Sequence, residues 1–317
     1  MSGTPAAEVD IDEKLVRALL REQHADIAEL PLALMDEGWD NVMFRLGDAY
    51  TVRLPRRLVA ATLLINEQNW LPSLAQNLPL PVPVPVRIGL PNHSYPWKWS
   101  VLPWLPGYAA SEERPHRDQA PAFGQFLRAL HQIAPSEAPV NEVRGCPLSD
   151  RAESVSARIG QLKASNSGLA PEIEVAWHEG LKAPVSQTAC WLHGDLHARN
   201  VLVDNGRISA IIDWGDITSG DVATDLAGIW ALFDSAESRR YALEAYGPDV
   251  AEIARARAWA VNFGTILLVT GLVDNPRMPR WALIHFAGLP KTFPRNREQP
   301  QRLQQLHKIR LLFALQP

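Results

Sequence analysis

The chain of 317 residues is too long for one small core and too short for three, so two lobes or two domains are expected. Hydrophobic residues make up 46% and charged residues 21%, an ordinary globular balance that excludes wholesale disorder. A net charge of -4 argues against nucleic acid as a partner, and two cysteines, Cys146 and Cys190, cannot build a disulfide framework or a zinc ribbon. The first residues lack a signal-peptide pattern, and the longest apolar run, 261–273, is too short to span a bilayer. A cytoplasmic protein without membrane contact is the expectation.

In chain order, residues 10–23 carry Ile11, Leu15 and Leu19 at helical spacing. Residues 32–57 read as a hairpin turning at Gly47-Asp48, with 46 opposite 49 and Arg53 opposite Val42. A helix follows over 58–76. The stretch "LPLPVPVPVRIG" (78–89) has proline at alternate positions and has to be extended, at a sheet edge or as a connector. Residues 95–110 read as a strand ending at "LPG", after which helical patterns dominate 116–133, 149–163 and 171–182. The change near Pro106-Gly107 predicts two lobes, 1–105 and 106–317, with a cleft between them. The run 261–273 reads as a buried helix.

The informative segment is "HGDLHARNVLVDNGRISAIIDWGD", 193–216. Asn205-Gly206 is a strong hairpin signal; it pairs 204 with 207 and 200 with 211, so Asn200, Ile211 and Asp213 share one face. An amide oxygen and a carboxylate there are the hard ligands that Mg²⁺ takes alongside water and phosphate oxygens. Asp195 lies five residues before Asn200, on the loop leading in. Protein kinases use the same logic: a loop Asp for the acceptor hydroxyl, then an Asn and an Asp for the metals. The competing reading is a metal cluster, because His193, Asp195 and His197 would face one way in a strand.

The first lobe offers an independent check. On the helix from Leu58, Glu67 falls inside the apolar stripe of Leu63, Leu64, Trp70, Leu71 and Leu74. Left unpaired there, it would cost about 3–5 kcal/mol. Arg53, at the end of the preceding hairpin and beside the loop Gly38, Trp39, Asp40 and Asn41, is the available cation. Such a cation under a short glycine loop suits phosphate.

With "GDVATDLAGIW" added, the 191–230 segment resembles the aminoglycoside phosphotransferase family, and the resemblance extends over about 32–235. It implies an α+β, protein-kinase-like fold, with a small strand-rich nucleotide-binding lobe and a larger helical lobe for catalysis and the acceptor. By that resemblance Asp195 is the catalytic base, Asn200 and Asp213 hold Mg²⁺, and Arg53 with Glu67 grips the phosphates. ATP or GTP would lie against the 101–107 hinge, near Leu102 and Trp104, and His193 and Asp225 would support the catalytic loop. By sequence alone Asp225 could instead cap the helix that begins at Leu226. Three features depart from protein kinases: no Gly-x-Gly-x-x-Gly loop, Arg in place of Lys, and Asp-Trp-Gly in place of Asp-Phe-Gly.

The implied reaction is γ-phosphoryl transfer to a small-molecule hydroxyl, with an aminoglycoside as the favoured acceptor and antibiotic resistance as the role. Carboxylates Asp216, Asp221, Asp234 and Glu237 are candidates to line its site. A macrolide, a choline-like amine and a sugar are alternative acceptors. Outside the class stand a nucleotide-binding pseudoenzyme and a metal-dependent hydrolase.

Overall fold

The computed structural model describes residues 6–38, 40–164, 170–273 and 286. Helix α1 (Glu13–Gln23) starts at Asp12, whose Oδ1 accepts from the Leu15 amide at 2.8 Å, and it buries Val16, Leu19 and Leu20. Its inward face is thus centred one residue beyond the stripe read from Ile11 and Leu15, which are only partly buried.

Strands β1 (Leu32–Glu37), β2 (Asn41–Leu46), β3 (Tyr50–Pro55), β4 (Arg87–Gly89) and β5 (Trp99–Pro103) form an antiparallel sheet in the order β1-β2-β3-β5-β4. On β2 the residues Val42, Phe44 and Leu46 point inward and alternate with half-buried neighbours; β3, at the centre, is buried almost throughout. The β2–β3 turn holds three residues, not two. Leu46 faces Tyr50, and Arg53 therefore faces Met43 instead of Val42. Gly47, at φ +56, accommodates the extra residue.

Helix α2 (Leu58–Leu74) follows and ends in a single 3₁₀ turn. The proline-rich segment serves both expected purposes. Its Pro81 carbonyl accepts from the Ile211 amide at 2.9 Å, and it then enters the sheet edge as β4.

Beyond the link 104–107 the chain makes β6 (Tyr108–Ala109), α3 (Ala120–Leu130), α4 (Ala152–Ala164), α5 (Ala170–Lys182) and β7 (Cys190–Leu192). Then come β8 (Val201–Asp204), β9 (Arg207–Ile211), β10 (Thr218–Gly220), α6 (Ala223–Leu226), α7 (Gly228–Leu232), α8 (Ala236–Tyr246) and α9 (Val250–Val273). Helix α3 packs on α8 and α5 on α9, while β6-β8-β9 and β10-β7 form two small sheets. The apolar run 261–273 belongs to α9, and no described helix is long and apolar enough to cross a membrane. Nothing after residue 273 is among the described residues apart from Phe286, which is buried in the larger core.

Two hydrophobic clusters result. One joins α1 to the five-stranded sheet; the other unites the helices, β7–β9 and Leu71 of α2. Trp70 packs on Trp191 of β7 with ring centroids 4.9 Å apart and planes tilted by 51°. Helix α2 therefore belongs to both halves, with its last turns in the larger core.

Candidate active site

Strand β7 runs directly into the loop 193–200. Gly194 sits at φ +87, where a Cβ would lie 2.3 Å from the Asp216 carbonyl, so only glycine lets the loop close. Asp225 is buried and accepts from the amides of His193 at 2.6 Å and Gly194 at 2.9 Å. It lies within α6 and does not cap the helix that follows. Behind it, His131 faces Asp225 Oδ2 through Nε2 at 3.4 Å and Tyr246 Oη through Nδ1 at 2.8 Å. Burial pushes the Tyr246 phenol up, so it keeps its proton to donate to His131.

His193 is fully buried, and both ring nitrogens are engaged. Nε2 meets the Ile212 carbonyl at 2.9 Å, while Nδ1 accepts from the Asp195 amide at 3.3 Å. A carbonyl only accepts and an amide only donates, so the proton sits on Nε2. That ring cannot ligate a metal. Among the described residues no group of three or more His, Cys, Asp or Glu side chains could hold one, which overturns the cluster reading of His193, Asp195 and His197.

Asp195 projects from this loop. Its Oδ1 accepts from Arg144 Nη2 at 2.9 Å, and Oδ2 lies 3.4 Å from His197 Nε2 and 3.5 Å from Asn200 Nδ2. Burial would raise the carboxyl, but His197 and Arg144 outweigh it and hold Asp195 well below the usual carboxylate range. It is an oxygen acceptor kept ionised at any working pH.

Asn200 Nδ2 donates to the Asp195 carbonyl at 2.9 Å, which turns its Oδ1 away and leaves that oxygen for another partner. Pairing in the β8–β9 hairpin begins as expected with Asp204 opposite Arg207, but a bulge follows. Val201 then faces Ile211, and the Ile212 amide donates to the Asn200 carbonyl at 2.9 Å. Asn200 is thus opposite Ile212, one residue off the simple register. Asp213 has left the strand at φ 63, a left-handed conformation that Asp tolerates, and its carboxylate is half exposed.

Arg53 Nη1 lies 3.8 Å from Asp213 Oδ1, and Arg53 Nη2 is bonded to Glu67 Oε1. Burial acts to lower the guanidinium pKa, but Glu67 overcomes this and raises it. Arg53 Nε and Glu67 Oε2 are buried without a hydrogen-bond partner among the described residues. Above them the loop at 38–41 is held by Arg56 and Arg57. Arg56 Nη1 donates to the Gly38 carbonyl at 2.9 Å, and Arg57 pairs with Asp40. The Gly38 amide donates to the Asn41 carbonyl at 3.0 Å, so it closes the turn and is not free for a phosphate; Trp39 lies outside the described residues. At the link between the halves Leu102 is buried opposite Thr51. The Trp104 amide donates to the Ala49 carbonyl at 2.7 Å, and Arg45 stacks on its indole at 3.8 Å.

Of the four carboxylates considered for an acceptor, Asp216 borders Asp195 closely enough to feel its charge. Burial first, and Asp195 second, raise the Asp216 pKa. Asp221 is corrected: Arg255 holds it at 2.6 Å and 3.2 Å in a buried ion pair. Glu237 is paired with Arg117 at 3.2 Å and Tyr241 Oη at 2.8 Å, on the first turn of α8, and Asp234 is an exposed residue leading into that helix. Asp221 and Glu237 were legible only as acids, not as acids already taken. Sequence reasoning missed Arg144, Asn141 and His131. Asn141 Nδ2 donates to Asp216 Oδ1 at 2.9 Å, so one loop touches both Asp195 and Asp216. No pattern in "NEVRG" signals this; the contacts span 51 and 75 residues.

An antiparallel-sheet N-terminal half, a helical C-terminal half and a loop carrying Asp195 between them define a kinase-like fold. The family model of the phosphotransferase enzyme family matches residues 32–259, and the chain belongs to that family. It is 35% identical over 89 residues to hygromycin-B 4-O-kinase of Escherichia coli, a match spanning only 26% of each chain. Among solved structures it resembles the GDP complex of wild-type aminoglycoside 2'-phosphotransferase-IIIa, with TM-score 0.64, 16% identity, and coverage of 96% of this chain and 100% of that one. A macrolide 2'-phosphotransferase from Brachybacterium faecium is similar with TM-score 0.56, 21% identity, and coverage of 89% and 100%. At those identities the likeness is one of fold.

Proposed function

We propose that the protein transfers the γ-phosphoryl group of a nucleoside triphosphate to a hydroxyl of a small molecule, with an aminoglycoside as the favoured acceptor. The observation that carries this is the convergence of Asp195, the free oxygen of Asn200, the outward carboxylate of Asp213 and the buried Arg53. Similarity to aminoglycoside phosphotransferases, one solved with GDP, supports the nucleotide and the acceptor class.

The donor set fits Mg²⁺. Two oxygens, one amide and one carboxylate, are what this ion takes from protein when water and phosphate supply the remainder. Bound there, the ion would neutralise charge on the β- and γ-phosphates. Arg53, fixed by Glu67, would hold phosphate oxygens from the sheet side. Asp195 would orient the acceptor hydroxyl and take its proton as the new P–O bond forms. A carboxylate kept so acidic works mainly by orientation and charge, which suits a loose transition state.

The test is an acceptor panel of kanamycin, hygromycin B, streptomycin and a macrolide, each incubated with ATP or GTP and Mg²⁺ and read as phosphorylated product. Asp195→Asn should lower kcat by about 10²–10⁴ with nucleotide affinity little changed. Near-normal turnover in that variant would remove Asp195 from the chemistry. One observation favours the macrolide reading: Val140 and Val143 are exposed on the loop that carries Asn141 and Arg144. Salt separates the two, because an aminoglycoside KM should climb steeply with ionic strength and a macrolide KM should barely move.

A further inference from the structure

Arg144 has no part in the reaction as so far described, yet it makes the closest contact to the proposed base. Its Nη2 lies 2.9 Å from Asp195 Oδ1, and its guanidinium carbon sits 5.1 Å from the ring centroid of Phe263 on α9. This is not a surface side chain that happened to find an acid. The segment bearing it is pinned at both ends. The Pro139 carbonyl accepts from the Ser219 amide at 2.8 Å and Thr218 Oγ1 at 3.0 Å. The Gly145 amide donates to Thr224 Oγ1 at 3.1 Å, and its carbonyl accepts from the Asp221 amide at 2.9 Å. Gly145 at φ +67 packs so tightly on β10 that a Cβ on Gly220 would lie 2.4 Å from the Gly145 carbonyl. A rigid strap therefore aims a permanent cation at the base.

We propose that Arg144 determines which hydroxyl the site accepts, discriminating a bound acceptor from water by occupying Asp195 until the acceptor displaces it. The proposal rests on the phosphotransferase reading, with Asp195 as the base. Nucleoside triphosphate bound beside an ionised, partly solvated Asp195 is exposed to wasteful hydrolysis. In that reaction the water oxygen forms a bond to the γ-phosphorus, the bridging P–O bond to the β-phosphate breaks, and Asp195 takes the water proton. The products are nucleoside diphosphate and inorganic phosphate.

Water can replace the guanidinium on Oδ1 only by giving up a charge-assisted hydrogen bond for a weaker one. A small-molecule acceptor brings further contacts to the same strap, at Asn141, Val140 and Val143, and to the neighbouring Asp216, and these offset the displacement. Binding energy remote from the reacting atoms thereby frees the base, which is selection by displacement and not by lid closure. The displaced guanidinium has five donors to satisfy, so the acceptor should present an oxygen, not an ammonium, next to the reacting hydroxyl.

Water itself serves as the probe. Arg144→Met should raise acceptor-independent hydrolysis of Mg·ATP by at least about tenfold with unchanged nucleotide affinity. Adding Asp195→Asn to that variant should abolish the rise. Arg144→Lys, which keeps the charge, should stay near the parent rate. Should Arg144→Met fail to fold, Phe263→Leu removes the ring beneath the guanidinium and should give a smaller rise of the same sign. Unchanged or slower hydrolysis in folded variants that still bind Mg·ATP overturns the role of Arg144. Failure of the unsubstituted protein to bind either Mg·ATP or Mg·GTP overturns the phosphotransferase reading instead.

Discussion

Arg53 and Glu67 are both buried, at 6% and 0% side-chain exposure, so neither charge is stable without the other. Removing one partner of a buried pair typically costs about 3–5 kcal/mol. Glu67→Gln and Arg53→Ala should each weaken nucleotide binding, and the double variant should be clearly less than additive in binding titrations. Strict additivity would mean that the pair does not act as a unit. Asp195 and Asp216 give opposite pH slopes. Asp195, depressed in the fold, contributes stability that is complete above the ordinary carboxylate pKa and is lost as pH falls through its lowered value. Asp216 is raised, so the folded state binds the extra proton, and stability drops as pH rises from the ordinary value through the raised one. Asp216→Asn should remove that drop, read as urea midpoints across mildly acidic to neutral pH.

Much of this residue-scale arrangement was legible. Glu67 announced a buried cation because it interrupts an apolar stripe, and the spacing of Asp195, Asn200 and Asp213 encodes their loop and hairpin. Arg144 was not legible, since nothing local distinguishes it from any loop arginine. The acids at 221 and 237 misled because charge is visible in a sequence and its partner, 34 or 120 residues away, is not.

At the scale of elements, the α3–α8 pair depends on one missing side chain. Gly124 in α3 faces the Ala242 carbonyl of α8 so closely that a Cβ would lie 2.2 Å from it. Glycine within a helix is ordinarily about 0.5–1 kcal/mol worse than alanine. Here the sign should reverse. Gly124→Ala is expected to destabilise by about 1–3 kcal/mol, the scale of overpacking, and thermal unfolding would show it. A gain in stability would mean that the two helices separate freely. The β-hairpins teach a related lesson. Both were read correctly as hairpins, and both registers shifted by one residue, through a three-residue turn in one and a bulge in the other. Composition marks where a hairpin turns; side-chain packing across the strands decides how many residues the turn or bulge absorbs.

At the scale of the molecule, the division into a sheet half and a helical half could be read from the change of pattern near residue 106, but the double allegiance of α2 could not. Its early turns carry Leu63, which a Cβ on Gly215 would approach to 3.5 Å, and Glu67, which holds Arg53. Its last turns place Leu71 in the larger core and pack Trp70 on the strand that enters the 193–200 loop. In protein kinases the corresponding glutamate is brought in and out of reach by repositioning its helix, and that motion is the switch. Here such a swing would drag buried Leu71 and partly buried Trp70 away from the core, with about 1.5–3 kcal/mol lost for a fully buried large apolar side chain that becomes exposed. Amides of α2 should therefore be equally protected from hydrogen exchange with and without nucleotide. The Arg53–Glu67 pair is thus part of the folded scaffold itself, assembled before any ligand arrives, and a swing of α2 is not available as a switch for it.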